Sequence, residues 1–156
     1  MSVQLRPMRE DEFRAWSDET LAWYAVDLVE NGGMRPESAQ QKAEADMAGA
    51  FSQGFTTAGN FLFVIDEGDV AVGSLWFAQR EQHGETYGFI YSIRLDEAHR
   101  GRGLGRQAMQ LAEGEVRARG LDRIQLNVFG GNERARALYR GLGYDEAAVL
   151  MSKDIA

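Results

Sequence analysis

The sequence predicts one α/β (α+β) domain, built on a mixed, mostly antiparallel central sheet with helices on its faces. Three observations carry this reading. At 156 residues, with 44% apolar and 26% charged side chains, the chain has the size and composition of one soluble domain, 1–156, with a substantial core. Between residues 61 and 95, apolar and aromatic runs follow one another across polar connections, as in an antiparallel meander. From 87 to 129 a strand, a helix and a strand follow in turn, and a right-handed crossover makes those two strands parallel.

Residues 3–6 (Val3 to Arg6) form a short first strand. A helix over 10–30 follows, in which Phe13, Trp16, Thr20, Trp23, Tyr24 and Leu28 recur at helical spacing and Asn31-Gly32-Gly33 makes the stop. Pro36 fits the first turn of a second helix that carries Ala39, Ala43, Met47 and Ala50 on one side and closes at Gly54. "FLFVID", the turn "EGD" and "VAVGSLWFA" read as a hairpin of buried strands, and the polar stretch "QREQHGE" leads to the strand "TYGFIYSIRL". A helix over about 104–119 turns Leu104, Ala108, Leu111, Ala112 and Val116 inward. In the strand "RIQLNVF", Ile124, Leu126 and Val128 alternate with Gln125, Asn127 and Phe129. The last helix starts near Asn132, repeats Ala135, Leu138, Tyr139 and Leu142 at i, i+3, i+4 and i+7, and ends at Gly143. The tail "AAVLMSKDI" is expected to supply a final strand.

Composition narrows the function. There is no cysteine, so neither a disulfide nor a thiolate nucleophile can take part. A net charge of -7 disfavours a nucleic-acid partner, which needs a basic face, and leans toward cationic small molecules. No apolar run reaches the ~20 residues that span a bilayer, and the start "MSVQLRPMRE" lacks the apolar core of a secretory signal. A cytoplasmic protein without a membrane partner is expected.

Against that acidity stands residues 99–109, "HRGRGLGRQAM", at a strand-to-helix junction. A helix start leaves backbone N–H groups unpaired and carries partial positive charge, so it holds phosphate. Gly101, Gly103 and Gly105 let the backbone bend and an anion approach closely, and Arg100, Arg102 and Arg106 add charge. A tight turn that merely needs glycine is the plainer alternative. A P-loop is excluded because no Gly-Lys pair occurs, and in a dinucleotide fingerprint the third glycine would stand one place later.

What fits is the pattern Arg/Gln-x-x-Gly-x-Gly/Ala, present as Arg100-Gly101-Arg102-Gly103-Leu104-Gly105. A second signature lies in "LNVFGGNERARALYRGLGY": Asn132, then Tyr139 seven residues on, then Leu142-Gly143-Tyr144. With both, the chain resembles the GNAT superfamily of acetyl-CoA-dependent N-acetyltransferases over about residues 61–153. Its segment "GFTTAGNFLFVID" is similar to bacterial members of undefined substrate. The resemblance implies helices on both faces of the sheet and a splayed parallel strand pair, with an acetyl-CoA-binding core over 61–153 and a variable, acceptor-side helical region over 7–58. It further implies that backbone groups of Ile93 and Leu95, flanking Arg94, pair with the pantetheine arm. The amides from Arg100 through Leu104 to Arg106 would hold the pyrophosphate, Asn132 would contact the cofactor arm, and Tyr139 would face the thioester sulfur. Acetyl-CoA would be the cofactor, with no metal, and a homodimer is among the family's states.

The chemistry sets requirements. An amine of pKa ~10.4 costs roughly 4–5 kcal/mol to deprotonate at pH 7, and its proton needs a base or a water chain. The oxyanion needs a donor, expected from a backbone N–H near Ile93 or Arg94. Tyr139 is the natural donor to the leaving thiolate. A phenol (pKa ~10) is a weaker acid than a thiol (~8.5), so the requirement is a hydrogen bond rather than full transfer. A plain core aromatic and a plain helix N-cap are the alternatives for Tyr139 and Asn132. The base is missing from the pattern: Asn127 stands where some family members carry glutamate, and the strand 87–95 holds no acid. Glu85, His83 and Tyr91 remain as candidates beside a water relay. Trp16, Trp23, Tyr24 and Trp76 either line an acceptor site or join the helices to the sheet. Asp27 and Glu30 either select a cationic amine or end a solvated helix. Three functions stay open: acetyl transfer to a small cationic amine or peptide, protein N-terminal or lysine acetylation, and a non-catalytic acyl-CoA-binding sensor.

Overall fold

The computed structural model describes residues 2–156. β1 (Gln4–Pro7) leads into α1 (Glu10–Glu30) and α2 (Pro36–Ala50), then β2 (Asn60–Glu67), β3 (Val70–Gln82), β4 (Glu85–Leu95), α3 (Leu104–Ala118), β5 (Ile124–Leu126) and α4 (Glu133–Gly141). The strands lie in sequence order, β1 to β4 antiparallel, and β5 joins β4 in parallel. The mixed α/β class predicted from the meander and the crossover is therefore the observed one.

Alternation along β2 and β3 sorts the core into two faces. Val64 and Trp76 pack with Trp16 of α1 and Met47 of α2. Their neighbours Phe63, Leu75 and Phe77 point the other way, into a cluster with Ala112 and Val116 of α3. Helices thus cover both faces. Two glycines mark close approaches: a Cβ at Gly73 would stand 2.2 Å from the Arg94 carbonyl oxygen, and one at Gly88 would stand 2.7 Å from Val116. These contacts seat β4 between β3 and α3.

A charged clasp ties β1 to the start of α1. Arg6 donates through Nη1 and Nη2 to Glu12 at 2.9 and 3.1 Å and through Nε to Asp66 at 3.0 Å, while the Arg9 N–H donates to Glu12 at 2.8 Å. The Arg6 guanidinium holds the Glu12 carboxyl down, from an ordinary 4.5 to about 2, against the cost of burial and with help from the Arg9 N–H. A carboxyl that is more acidic folded than unfolded adds stability above its unfolded value and loses it as pH falls through the folded one. The stability difference between wild type and Glu12→Gln, read from urea midpoints, is therefore expected to be largest above about pH 5 and to close toward about pH 2.

The structure departs from the sequence reading in three places. The polar stretch 79–85 is not a loop: β3 runs to Gln82 and β4 starts at Glu85, joined by the two-residue turn His83-Gly84 with φ of 53° and 81°. Both central residues of such a hairpin turn take positive φ, and the strand ends on either side are polar because they are exposed. β5 is three residues long instead of seven, because its ladder to β4 stops at Leu126. The expected final strand does not form, and residues 145–156 are exposed and join no strand, with Leu150 98% and Ile155 94% accessible. A run of apolar residues becomes a strand only against a partner edge, and the three-residue β5 pairs with β4 alone.

Candidate active site

β4 and β5 meet only where Gly88, Phe89 and Ile90 face Ile124, Gln125 and Leu126. One residue on, the β3–β4 register slips: Phe77 faces Ile90 but Trp76 faces Ser92, so Tyr91 is the extra residue of a bulge. A bulge bends its strand and disrupts the ladder. Here it coincides with the parting of β4 from β5, and among the described residues no strand pairs with 91–95 on the β5 side. The parted strands bound a cleft of about 130 Å³ whose lining includes Tyr91 and Ile93 of β4, Asn127 after β5, Asn132 and Tyr139 at α4, and Asp27 of α1.

The glycine-rich junction follows β4. Gly101 and Gly103 take φ of 79° and 78°, the left-handed region that glycine enters without strain, and a Cβ on either would meet nothing within 4 Å. Gly103 caps α3 with no side-chain hydrogen bond, so the first amides of that helix, at Leu104, Gly105 and Arg106, have no side-chain cap. Gly105 lies inside α3, its Cβ position at ordinary contact distance, 3.7 Å, from Leu95 and Leu138. The arginines are engaged by the protein itself. Arg100 Nε donates to the Leu95 carbonyl at 3.1 Å, Arg102 Nη2 reaches both Glu67 oxygens at 3.2 and 2.8 Å, and Arg106 reaches the Gly141 carbonyl at 3.4 Å. The backbone, more than these side chains, is what the junction leaves open to an anion.

Each sequence-predicted residue has a definite place. Ile93 lines the cleft, and Leu95 ends β4 beside the junction. The Arg94 side chain leaves toward α1, donating to the Glu19 carbonyl at 3.2 Å. Asn132 caps α4, its Oδ1 accepting from the Ala135 N–H at 3.2 Å, and also lines the cleft. Tyr139 lies across from β4; its phenol makes no hydrogen bond among the described residues. Burial, foremost, and the Asp27 charge push that phenol above its ordinary value.

Of the candidate bases, His83 and Glu85 sit at the opposite end of β4 from the cleft, and Glu85 is paired with Arg123 at 3.1 Å. Tyr91 is in the cleft with its ring stacked 4.6 Å from Trp76. Trp16 and Trp76 are core residues, 6% and 5% exposed, and Tyr24 donates to Asp46 at 2.8 Å, away from the cleft. Trp23 and Asp27 do line it. A signal for this was present: Trp16, Thr20, Trp23 and Asp27 form one i, i+4, i+7, i+11 stripe, so Asp27 continues the inward face of α1. Among the described residues no group of three or more His, Cys, Asp or Glu is placed to hold a metal ion, and no helix is long and apolar enough to cross a membrane.

The donor set fits an acyl-CoA. An uncapped helix start lined by open glycines suits a pyrophosphate, and the unpaired β4 edge suits an amide-bearing arm laid along it as an added strand. A bulged strand, a splayed parallel pair and a glycine-rich helix start around one cleft define the GNAT type of acetyltransferase. The chain belongs to the acetyltransferase (GNAT) family, whose model it matches over residues 8–144. It is 33% identical over 157 residues to the uncharacterized N-acetyltransferase YycN of Bacillus subtilis (strain 168), covering 99% of this chain and 100% of that one. It is 31% identical to YdgE, an uncharacterized N-acetyltransferase of the same organism, with 99% of each chain covered. The crystal structure of YycN superposes with a TM-score of 0.92 over 99% of both chains, at 31% identity.

Proposed function

We propose that this GNAT acetyltransferase transfers the acetyl group of acetyl-CoA to a primary amine by direct attack in a ternary complex, the acceptor being a small cationic amine or a peptide. The observation that carries the reading is the unbonded Tyr139 phenol facing an unpaired β4 edge across one cleft, with the open start of α3 next along the chain. Acetyl-CoA supplies an acyl group already activated as a thioester.

The chain's residues divide the work. The amides from Arg100 to Arg106 hold the pyrophosphate, and the Ile93 and Leu95 backbone groups, flanking Arg94, align the arm. Asn132, while capping α4, borders the arm's inner end. A backbone N–H near Ile93 meets the negative charge that develops on the carbonyl oxygen. Tyr139 donates a hydrogen bond to the leaving sulfur, and a water relay takes the proton the amine must lose before it attacks. Residues 61–153 form the acetyl-CoA-binding core in this reading, and 7–58 form the acceptor side.

Thermal unfolding with acetyl-CoA, followed by assay of free coenzyme A release over polyamines, aminoglycosides, amino acids and peptides, tests it. Acetyl-CoA at about 100 times its Kd is expected to stabilise the fold by ~2.7 kcal/mol, with amine-dependent release. Stabilisation without release from any amine would leave a binding module. No stabilisation would overturn the reading of the glycine-rich junction.

A further inference from the structure

Asp27 is the one acidic side chain in the described lining of the cleft. Its position is fixed from several sides. Asn31 Nδ2 donates to Asp27 Oδ1 at 2.6 Å, and the N–H groups of Asn31 and Gly32 close the end of α1 on the Asp27 carbonyl at 2.9 and 3.1 Å. Gly32 lets this corner press on the segment between β5 and α4, since a Cβ there would stand 3.2 Å from the Phe129 ring. The last turns of α1 are thus seated against the same segment that leads to Asn132 and Tyr139.

Asp27 forms no ion pair within 4.0 Å among the described residues, whereas Asp46, Asp66 and Glu67 each have one and Glu12 has two. Ser92, 5% exposed and lining the same cleft, has a buried hydroxyl with no hydrogen-bond partner among the described residues. The rings of Trp23 and Tyr91 supply further wall. A small cleft with one carboxylate, four aromatic residues (Trp23, Tyr91, Phe129 and Tyr139) and no basic side chain in its lining favours a compact cation. Glu30, the other acid considered at this helix end, is exposed and outside the lining.

We infer that Asp27 is the specificity-determining residue of the acceptor site, its carboxylate holding the ammonium group of a primary alkylamine against Trp23 and Tyr91. This rests on the acetyltransferase reading. A neutral or anionic acceptor leaves that carboxylate with no cation to balance it, only the Asn31 amide, so cationic amines are the class selected. The held ammonium stands in the cleft where Tyr139 and the β4 edge flank the acyl group; it loses one proton to a water relay, the neutral amine attacks the thioester carbon, and its second proton goes to the departing thiolate.

The test uses the coenzyme A-bound full chain as wild type, Asp27→Asn and Glu30→Gln. Each is titrated with n-butylamine, with 1,4-diaminobutane and with neutral n-butanol, following the Trp23 indole N–H resonance. Asparagine keeps the Oδ1 acceptor for Asn31, so the α1 corner stays closed. Both ammonium probes are expected to bind wild type and to weaken about 10- to 100-fold in Asp27→Asn, the worth of a hydrogen bond to a charged group. Glu30→Gln is expected to match wild type within about two-fold, and butanol to show no difference among the three. Equal ammonium affinity in Asp27→Asn, or no ammonium binding to protein that binds acetyl-CoA normally, overturns the role of Asp27 and leaves the acetyltransferase reading standing. Failure to bind acetyl-CoA overturns that reading instead, while the same amine titration on the free chain still decides Asp27.

Discussion

Replacing Tyr139 by phenylalanine is expected to lower kcat by about 10²- to 10³-fold, the usual cost of removing one donor aimed at developing charge. The affinity for acetyl-CoA is expected to stay at the wild-type level, because the amides at the start of α3 and the edge of β4 are untouched. Phenylalanine preserves the ring, which meets Tyr144 edge-on at 5.9 Å, so the fold is expected to survive. The pH profile adds a second reading. Tyr139 acts as a donor in its protonated form, and burial together with the Asp27 charge pushes its ionisation above the ordinary value near 10. Any loss of kcat caused by phenol ionisation therefore belongs above about pH 10, and the Phe variant should lack that limb. Steady-state kinetics with the best amine found, on wild type and Tyr139→Phe, measures both. An unchanged kcat would reduce Tyr139 to a packing residue of α4.

The sheet was legible where local signals and tertiary pairing agree. Alternation in "FLFVID" and "VAVGSLWFA" marks β2 and β3 because these strands are half covered by α1 and α2 and half by α3. The pattern fails where pairing alone decides. Val128 and Phe129 continue the alternation of β5, yet β4 has already bent away at Tyr91, so no ladder forms there. The run "AAVLM" has strand-forming residues, yet it pairs with no strand of the sheet. His83-Gly84 lacks the Asn-Gly or Asp-Gly signature, so a hairpin turn passed for a polar loop. At the site, Gly101, Gly103, Asn132 and Tyr139 carry their pattern in the sequence because each depends on its own helix end or helix face. Asp27 carries only part of its pattern: the stripe of Trp16, Thr20, Trp23 and Asp27 turns it inward, but its place in the cleft depends on α1 meeting a segment a hundred residues further along the chain. For the arginines of the junction the charge is evident in sequence but the partners are not: Glu67 and two carbonyl groups engage them in the folded chain.

The largest effect on stability is expected from Phe77→Ala. Phe77 is fully buried on β3, its ring 5.0 Å from Phe61 and 6.0 Å from Phe63, with the Arg119 guanidinium 5.2 Å from its centroid. Alanine there leaves a cavity that β2, β3 and α3 cannot close without breaking the ladder, at a cost of about 3–5 kcal/mol. For a chain of this length that corresponds to a fall in Tm of roughly 6–20 °C by calorimetry. Phe77 also faces Ile90, the last residue of β4 paired to β5, so its loss falls beside the bulge. Acetyl-CoA separates two possibilities for what holds the cleft open. The β3–β4 ladder pairs residues on both sides of Tyr91, from Gly73 opposite Leu95 to Gln82 opposite Glu85. If this backbone register sets the bulge, a ligand at about 100 times its Kd adds the same ~2.7 kcal/mol to the variant as to wild type. That equal increment is the expected result. A smaller one would mean that the Phe77 ring props the splay, and that core and site share one set of contacts.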